Sequence, residues 1–363
     1  MRPAIREKID RLGELYPPER LALSKERIRR VWRGEPPLDR LPFVLIPPGF
    51  SYYDDVFEPE EGLNRYLDEF LRRGIAEDDY IPAFFTGCRM GAMPSLFGAK
   101  EAVRGNDYSC VRLLTDEASV RALPEPRILP GSPANAWLDA QRYYLEETEG
   151  AIPVHVNDMQ GPLDVAGQLW GYENVLAEPY EDEELYEFLL GRVTDGFLLL
   201  WNEQKRLLGD AFLPTHLYAW DWVPPDNGAT LSADSLVMLS PDFFRRWYKP
   251  ALERVSRGLG GLTVHSCGDF SGVAEALSQT HGLRGINASQ MSAGQLIAAG
   301  AGRDLVYIFQ CPFEGAREAV RSSLAGGYRI QPTITGAWPE DYTGAGRALL
   351  MERVQRLCEW FTP

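Results

Sequence analysis

The chain has 363 residues, 45% of them apolar and 25% charged, with a formal net charge of -15. That composition is that of a folded globular protein and excludes a disordered or low-complexity one. The acidic balance opposes attraction to phosphate backbones and anionic membranes, so neither nucleic acid nor a bilayer surface is an expected partner.

Residues 1–40 are rich in charge and carry helical periodicity, with LSKERIRRVWRG stopping at Gly34 before Pro36-Pro37. They read as a helical extension ahead of one domain over 41–363. The start lacks the apolar core of a signal peptide, and no apolar run reaches the roughly 20 residues a bilayer span needs, so the expected location is cytoplasmic. Five cysteines (88, 110, 267, 311 and 358) are odd in number and scattered, which fits a reducing compartment better than a disulfide framework.

From residue 41 onward, short apolar runs alternate with longer segments of helical period. Strands are expected at 43–47, 80–85, 151–158, 212–220, 262–266, 284–289, 304–310 and 328–332. Eight strand and helix alternations predict an α/β protein, a single (β/α)8 barrel, in place of a doubly wound sheet. Ser240-Pro241 reads as an N-cap followed by proline at the first helical position.

In such a barrel the chemistry sits at the C-terminal ends of the strands. Those ends supply Cys88, Asp158, Gln160, Trp220, Asp221, Trp222, His265, Cys267, Asn287, Gln310 and Cys311. In TVHSCGDF, His265 and Cys267 are two apart, so an extended backbone points both to one face. Gly268 then releases the strand geometry, and Asp269 either caps the next helix or orients the imidazole.

Zinc takes about four ligands of the His, Cys and carboxylate kinds. His265 and Cys267 supply two, Cys311 is the expected third, and Cys88, Asp221 or Asp234 the fourth. The bland alternative is a hydrogen-bonded core histidine beside two small apolar thiols. Asp158 and Gln160 stand at the turn into Pro162, where a ligand contact and an ordinary strand-to-helix turn are equally expected. His155, inside that strand, reads as a satisfied core histidine. Trp220 and Trp222 flank Asp221 in an aromatic acidic loop that lines a pocket or simply packs. Asp234 caps a turn or acts as a catalytic carboxylate. No GxGxxG, Walker, HExxH or GxSxG pattern is present.

The order Gln160-Gly161-Pro162-Leu163, Ser232-Ala233-Asp234-Ser235 running through Met238-Leu239-Ser240-Pro241-Asp242-Phe243-Phe244 to Lys249-Pro250, then His265-Ser266-Cys267-Gly268-Asp269 resembles the uroporphyrinogen decarboxylase superfamily. The resemblance spans roughly residues 40–360 and is best over 150–310. It implies a (β/α)8 barrel. The superfamily includes decarboxylases and zinc-dependent methylcobalamin:coenzyme M methyltransferases.

This chain departs from the decarboxylases where they bind substrate. Pro47-Pro48-Gly49-Phe50 stands where they carry an arginine-rich stretch, Phe84-Phe85-Thr86-Gly87-Cys88 where the catalytic aspartate belongs, Gln168 where a tyrosine is expected, and Thr333-Ile334-Thr335-Gly336 in place of Gly-His-Gly. The methyltransferase branch fits through His265-x-Cys267, which there binds zinc with a later cysteine. At that later position this chain has Gln331-Pro332-Thr333 and no cysteine, so Cys311 is the expected substitute.

The resemblance therefore implies corrinoid-linked methyl transfer. Zinc would be held by His265, Cys267 and Cys311, a corrinoid carried by a partner protein would be the co-substrate, and Asp221 and Asp234 would position substrate or move protons. Gln160, Trp220, Trp222, Asn287 and Gln310 are the expected substrate contacts. The alternatives are decarboxylation of a smaller tetrapyrrole through Asp158, Asp221 or Asp234, and a non-catalytic corrinoid- or tetrapyrrole-binding subunit.

Overall fold

The computed structural model describes residues 1–48, 58–87, 90–104, 107–216, 221–340 and 343–362. Ten strands are present among them: β1 Val44–Leu45, β2 Glu101–Arg104, β3 Asp107–Cys110, β4 Val154–His155, β5 Phe212–Leu213, β6 Ala229–Ser232, β7 Leu262–Ser266, β8 Leu283–Ala288, β9 Val306–Pro312 and β10 Arg329–Thr335. Six form one sheet in the order β1-β10-β9-β8-β7-β6, and every pairing in it is parallel. A parallel sheet needs helical crossovers and coverage on both faces. The near-continuous burial of β6, β7 and β8 meets that requirement.

β4 and β5 pair in parallel as a separate two-stranded piece. Single parallel bridges, Phe84 to Val154 and Gln160 to Ser232, carry the pairing to either side of it. The protein is thus α/β with a parallel sheet, and its continuous ladders join six strands where eight were expected. The expected strand at 80–85 is reduced to the Phe84 bridge. β6 follows Pro224-Pro225-Asp226-Asn227-Gly228, a run whose turn residues hid a strand of only four residues. The antiparallel hairpin β2–β3 was likewise not expected.

Helices Pro3–Leu15 and Pro18–Arg33 form from the N-terminal segment. The first buries Ile5 and Leu12 among Leu63, Tyr66 and Phe70. The second buries Ile28, Val31 and Trp32 in the main core, and the Trp32 indole donates to Gln331 of β10 at 2.8 Å. The extension is therefore packed against the sheet. Ser240 caps its helix as expected, its hydroxyl accepting from the Phe243 N–H at 3.1 Å, with Pro241 at the first position.

Candidate metal centre

β6, β7 and β8 lie side by side, with Ser232, His265 and Asn287 in one register row. Neighbours in a parallel row face the same side of a sheet. His265 Nδ1 meets Asn287 Oδ1, and the Asn287 amide nitrogen donates to the Ile308 carbonyl at 3.3 Å. That second bond fixes which way the amide points, so Asn287 Oδ1 accepts and Nδ1 carries the hydrogen. Nε2 is left with its lone pair directed to Cys267 Sγ, 3.4 Å away.

Gly268 has φ of +77°, a left-handed conformation that favours glycine and turns the chain immediately after Cys267. The Cys267 N–H, released from the ladder, donates to Asp234 Oδ1 at 2.6 Å. Donor atoms of Asp234, His265 and Cys267 all lie within 4.8 Å of one another. Three donors on a tetrahedral zinc stand roughly 3.3–3.8 Å apart, so only small side-chain shifts are needed to close on an ion. The set is one nitrogen, one sulfur and one carboxylate oxygen, the chemistry zinc favours.

Electrostatics support a polarised centre. Burial works against charge on His265, but the Cys267 thiol, by hydrogen bond and by charge, and then Asp234 and Asp158 outweigh it and raise the imidazole pKa. Ser289 Oγ donates to Cys267 Sγ at 3.4 Å, which favours the thiolate.

Two supporting groups were not singled out from the sequence. Asp164, in the first turn of the helix Pro162–Trp170, accepts from the Ser235 N–H at 2.8 Å and from the Ser235 hydroxyl at 2.9 Å. It thereby holds the residue next to Asp234. Burial, with the Asp234 charge adding to it, pushes the Asp164 carboxyl up to about 7. Gly161 makes this close packing feasible, since a Cβ there would run into the Tyr248 hydroxyl. His216 is the second group. Its Nε2 lies 3.1 Å from Ser232 Oγ and 3.3 Å from Asp158 Oδ1, and Ser232 Oγ donates to Asp158 at 2.5 Å. The His216 and His265 rings meet edge to face, 6.5 Å between centroids. Burial pushes the His216 pKa down to about 4, against the pull of Asp158.

The structure does not bring Cys311 to this centre. Asn287 pairs with Ile308, so Ile308 and Gln310 share the Asn287 face and Cys311 takes the opposite one. Its thiol is buried in the core, which pushes its pKa up to about 11. Asp234, one of the three carboxylate and thiol groups expected as a fourth ligand, is the group that converges with His265 and Cys267. Cys88 and Trp220 fall outside the described residues.

Asp221 also lies elsewhere. Its carboxylate accepts from Gln331 at 3.3 Å and Thr333 at 3.1 Å, in a group completed by Trp32. Trp222 is buried with the Arg29 guanidinium 5.2 Å and the Lys25 ammonium 5.9 Å from its ring centroid, so it packs on the helix Pro18–Arg33. Asp269 is exposed and accepts from the Ser271 N–H at 2.9 Å, a local turn two residues on that caps neither following helix, and Asn287, not Asp269, orients the imidazole. Asn287 therefore serves His265 and is itself buried. Gln310 is exposed at the C-terminal end of β9. Gln160 accepts from Gln168 and donates to Met90 Sδ at 2.9 Å. His155 is buried as expected, with Nδ1 2.8 Å from the Thr215 carbonyl, but it is only half satisfied, since Nε2 has no hydrogen-bond partner among the described residues.

No protein-family model matches the sequence, and no curated protein matches it. Solved structures do. A methyltransferase from Methanosarcina mazei superposes with a TM-score of 0.65 at 14% identity, over 93% of this chain and 98% of that one. A structure described as a vitamin-B12-independent methionine synthase from Listeria monocytogenes gives a TM-score of 0.50 at 10% identity, over 88% of this chain and 94% of that one. At these identities the likeness establishes a shared fold. Among the described residues no helix is long and apolar enough to cross a membrane.

Proposed function

We propose that the protein is a zinc-dependent methyltransferase that moves a methyl group from a corrinoid, carried by a partner protein, to a thiol acceptor. In this reading the parallel strands close as a (β/α)8 barrel with the centre at their C-terminal ends. The observation that carries it is the convergence of Asp234, His265 and Cys267 donor atoms within 4.8 Å, with the His265 tautomer set by Asn287. The whole-chain likeness to a methyltransferase supports it.

Three protein ligands and one open position are the arrangement of a catalytic zinc site. Zinc bound there would supply Lewis acidity that lowers the pKa of an incoming thiol, making the thiolate available at neutral pH. The protein's own groups do the rest. Asn287 fixes the imidazole, Ser289 hydrogen-bonds the Cys267 sulfur, and Asp164 holds the Asp234 loop through Ser235. Asp158 Oδ1, next to Ser232 and His216, receives the proton the acceptor thiol gives up on becoming the thiolate; the thiolate sulfur then bonds the methyl carbon, and the electron pair of the broken methyl–corrinoid bond stays on the corrinoid. Asp221 has no part in this step.

The test is elemental mass spectrometry on untagged protein together with methyl transfer from methylcobalamin to coenzyme M, followed by the visible spectrum. About one zinc per chain and thiol-dependent demethylation, both lost in His265→Ala, are the expected results. A zinc-free protein that still demethylates methylcobalamin would refute the reading.

A further inference from the structure

On the helical layer, away from the centre described above, three carboxylates converge. Glu117 opens the short helix Glu117–Arg121, Glu178 lies near the end of the helix Tyr172–Glu181, and Asp182 caps the helix Glu183–Leu208. Oxygens from all three lie within 4.8 Å of one another. Two oxygens that each sit about 2.4 Å from one calcium ion cannot be more than about 4.8 Å apart, so this spacing is that of co-ligands.

The other contacts of the cluster leave one group unmet. Arg121 reaches Asp182 Oδ2 at 2.5 Å and stands 4.0 Å from Glu117. Asp182 Oδ1 accepts from the Leu185 N–H at 2.9 Å. Glu178 is only 4% exposed, and its Oε1 has no hydrogen-bond partner. An ionised carboxylate oxygen withdrawn from water with no donor is costly, and this carboxyl group also stands beside two further carboxylates that a single guanidinium only partly neutralises. Burial first, then the charges of Glu117, Asp182 and Glu181, raise the Glu178 pKa, as expected for an acid lacking its counter-ion.

We propose that Glu117, Glu178 and Asp182 form a binding site for a hard divalent cation, calcium first, that clamps the Glu117–Arg121 helix to the junction of the helices Tyr172–Glu181 and Glu183–Leu208. The ligands are all oxygen, which selects calcium, magnesium or manganese over zinc. Exposed Glu117 leaves one side open for the waters that complete the shell. Calcium tolerates this irregular, partly hydrated geometry, whereas magnesium demands a near-octahedral one.

The experiment is thermal melting of the full chain, dialysed into metal-free buffer, with and without millimolar calcium chloride, alongside Glu178→Gln, Glu117→Gln and Asp234→Ala. A ligand well above its dissociation constant raises the melting temperature, here by about 3 °C or more. The wild type and Asp234→Ala should both show that rise, and the two glutamine variants should lose it. Glu117→Gln alters an exposed side chain, so it folds even where Glu178→Gln does not. No rise in the wild type overturns the proposal. So does a rise that survives in Glu117→Gln, or one that disappears in Asp234→Ala.

Discussion

Asp221 and Asp234 both follow short apolar segments and both hold a carboxylate close to the sheet, yet their surroundings differ in kind. Asp221 is fully enclosed, with each oxygen accepting one bond, from Gln331 or Thr333, and no sulfur or imidazole among those partners. Asp234 is half-buried and shares its space with a thiol and an imidazole lone pair. A carboxylate bonded only to amide and hydroxyl donors stabilises a fold, while a carboxylate converging with a nitrogen and a sulfur makes a ligand site. The comparison teaches that a carboxylate beside the sheet acquires its role from the chemistry of the neighbouring strands.

The largest effect that separates the two regions is expected from Cys267→Ala. It should remove zinc and reduce methyl transfer to a thiol by about a thousandfold or more, the scale of losing an essential metal-activated nucleophile. Asp221→Asn should keep full zinc content. Loss of zinc from Asp221→Asn in elemental analysis would erase the distinction.

Next come the residues that hold the ligands. Asn287→Ala and Asp164→Ala should each weaken zinc affinity by about 10–100-fold, the usual cost of removing a partner that orients a ligand. A competition titration with a zinc-binding dye measures this. Asp164→Asn should recover part of the affinity, because its amide oxygen can still accept from the Ser235 N–H. Wild-type affinity in both Asp164 variants would show that Asp164 only packs.

The buried region has its own signature in pH. Burial raises the Asp221 carboxyl from 3.8 to about 7, with Thr333 and Gln331 opposing the shift. The folded state therefore holds a proton that the unfolded state has lost between about pH 4 and pH 7. Its stabilising contribution is complete below pH 4, falls as pH rises, and is gone above about pH 7. Each unit of the shift is worth about 1.4 kcal/mol. Urea denaturation across that range should show the decline in wild type and a flatter profile in Asp221→Asn.

The smallest effect belongs to Cys311→Ala. It should leave zinc and methyl transfer unchanged and cost about 1 kcal/mol in stability, the value of a small buried side chain.

Much of this was legible in the residues. LTVHS is a strand over the expected bounds, and the His-x-Cys pair followed by a glycine turn does bring nitrogen and sulfur to one place. Which face Cys311 takes depends on the register of β9 against β8, which spacing along the chain does not reveal. Counting from Ile308, which pairs with Asn287, puts Cys311 on the far face. Asp234 was visible as a carboxylate, but its approach to Cys267 depends on β6, and a four-residue strand behind a proline-rich turn gave no periodic signal. His216 lay within a stretch read only for its apolar neighbours. Asp164 looked like an ordinary first-turn acid, a position where helices favour negative charge anyway. Its hold on Ser235, 71 residues later, is tertiary and has no local signature.

The most direct measurement is zinc stoichiometry by elemental mass spectrometry on the wild type, Asp234→Ala and Cys311→Ala side by side. The account predicts about one zinc per chain in wild type and Cys311→Ala, and a severe loss in Asp234→Ala. Zinc retained in Asp234→Ala and lost in Cys311→Ala would contradict it, and would return the third ligand to the thiol that the sheet register turns away.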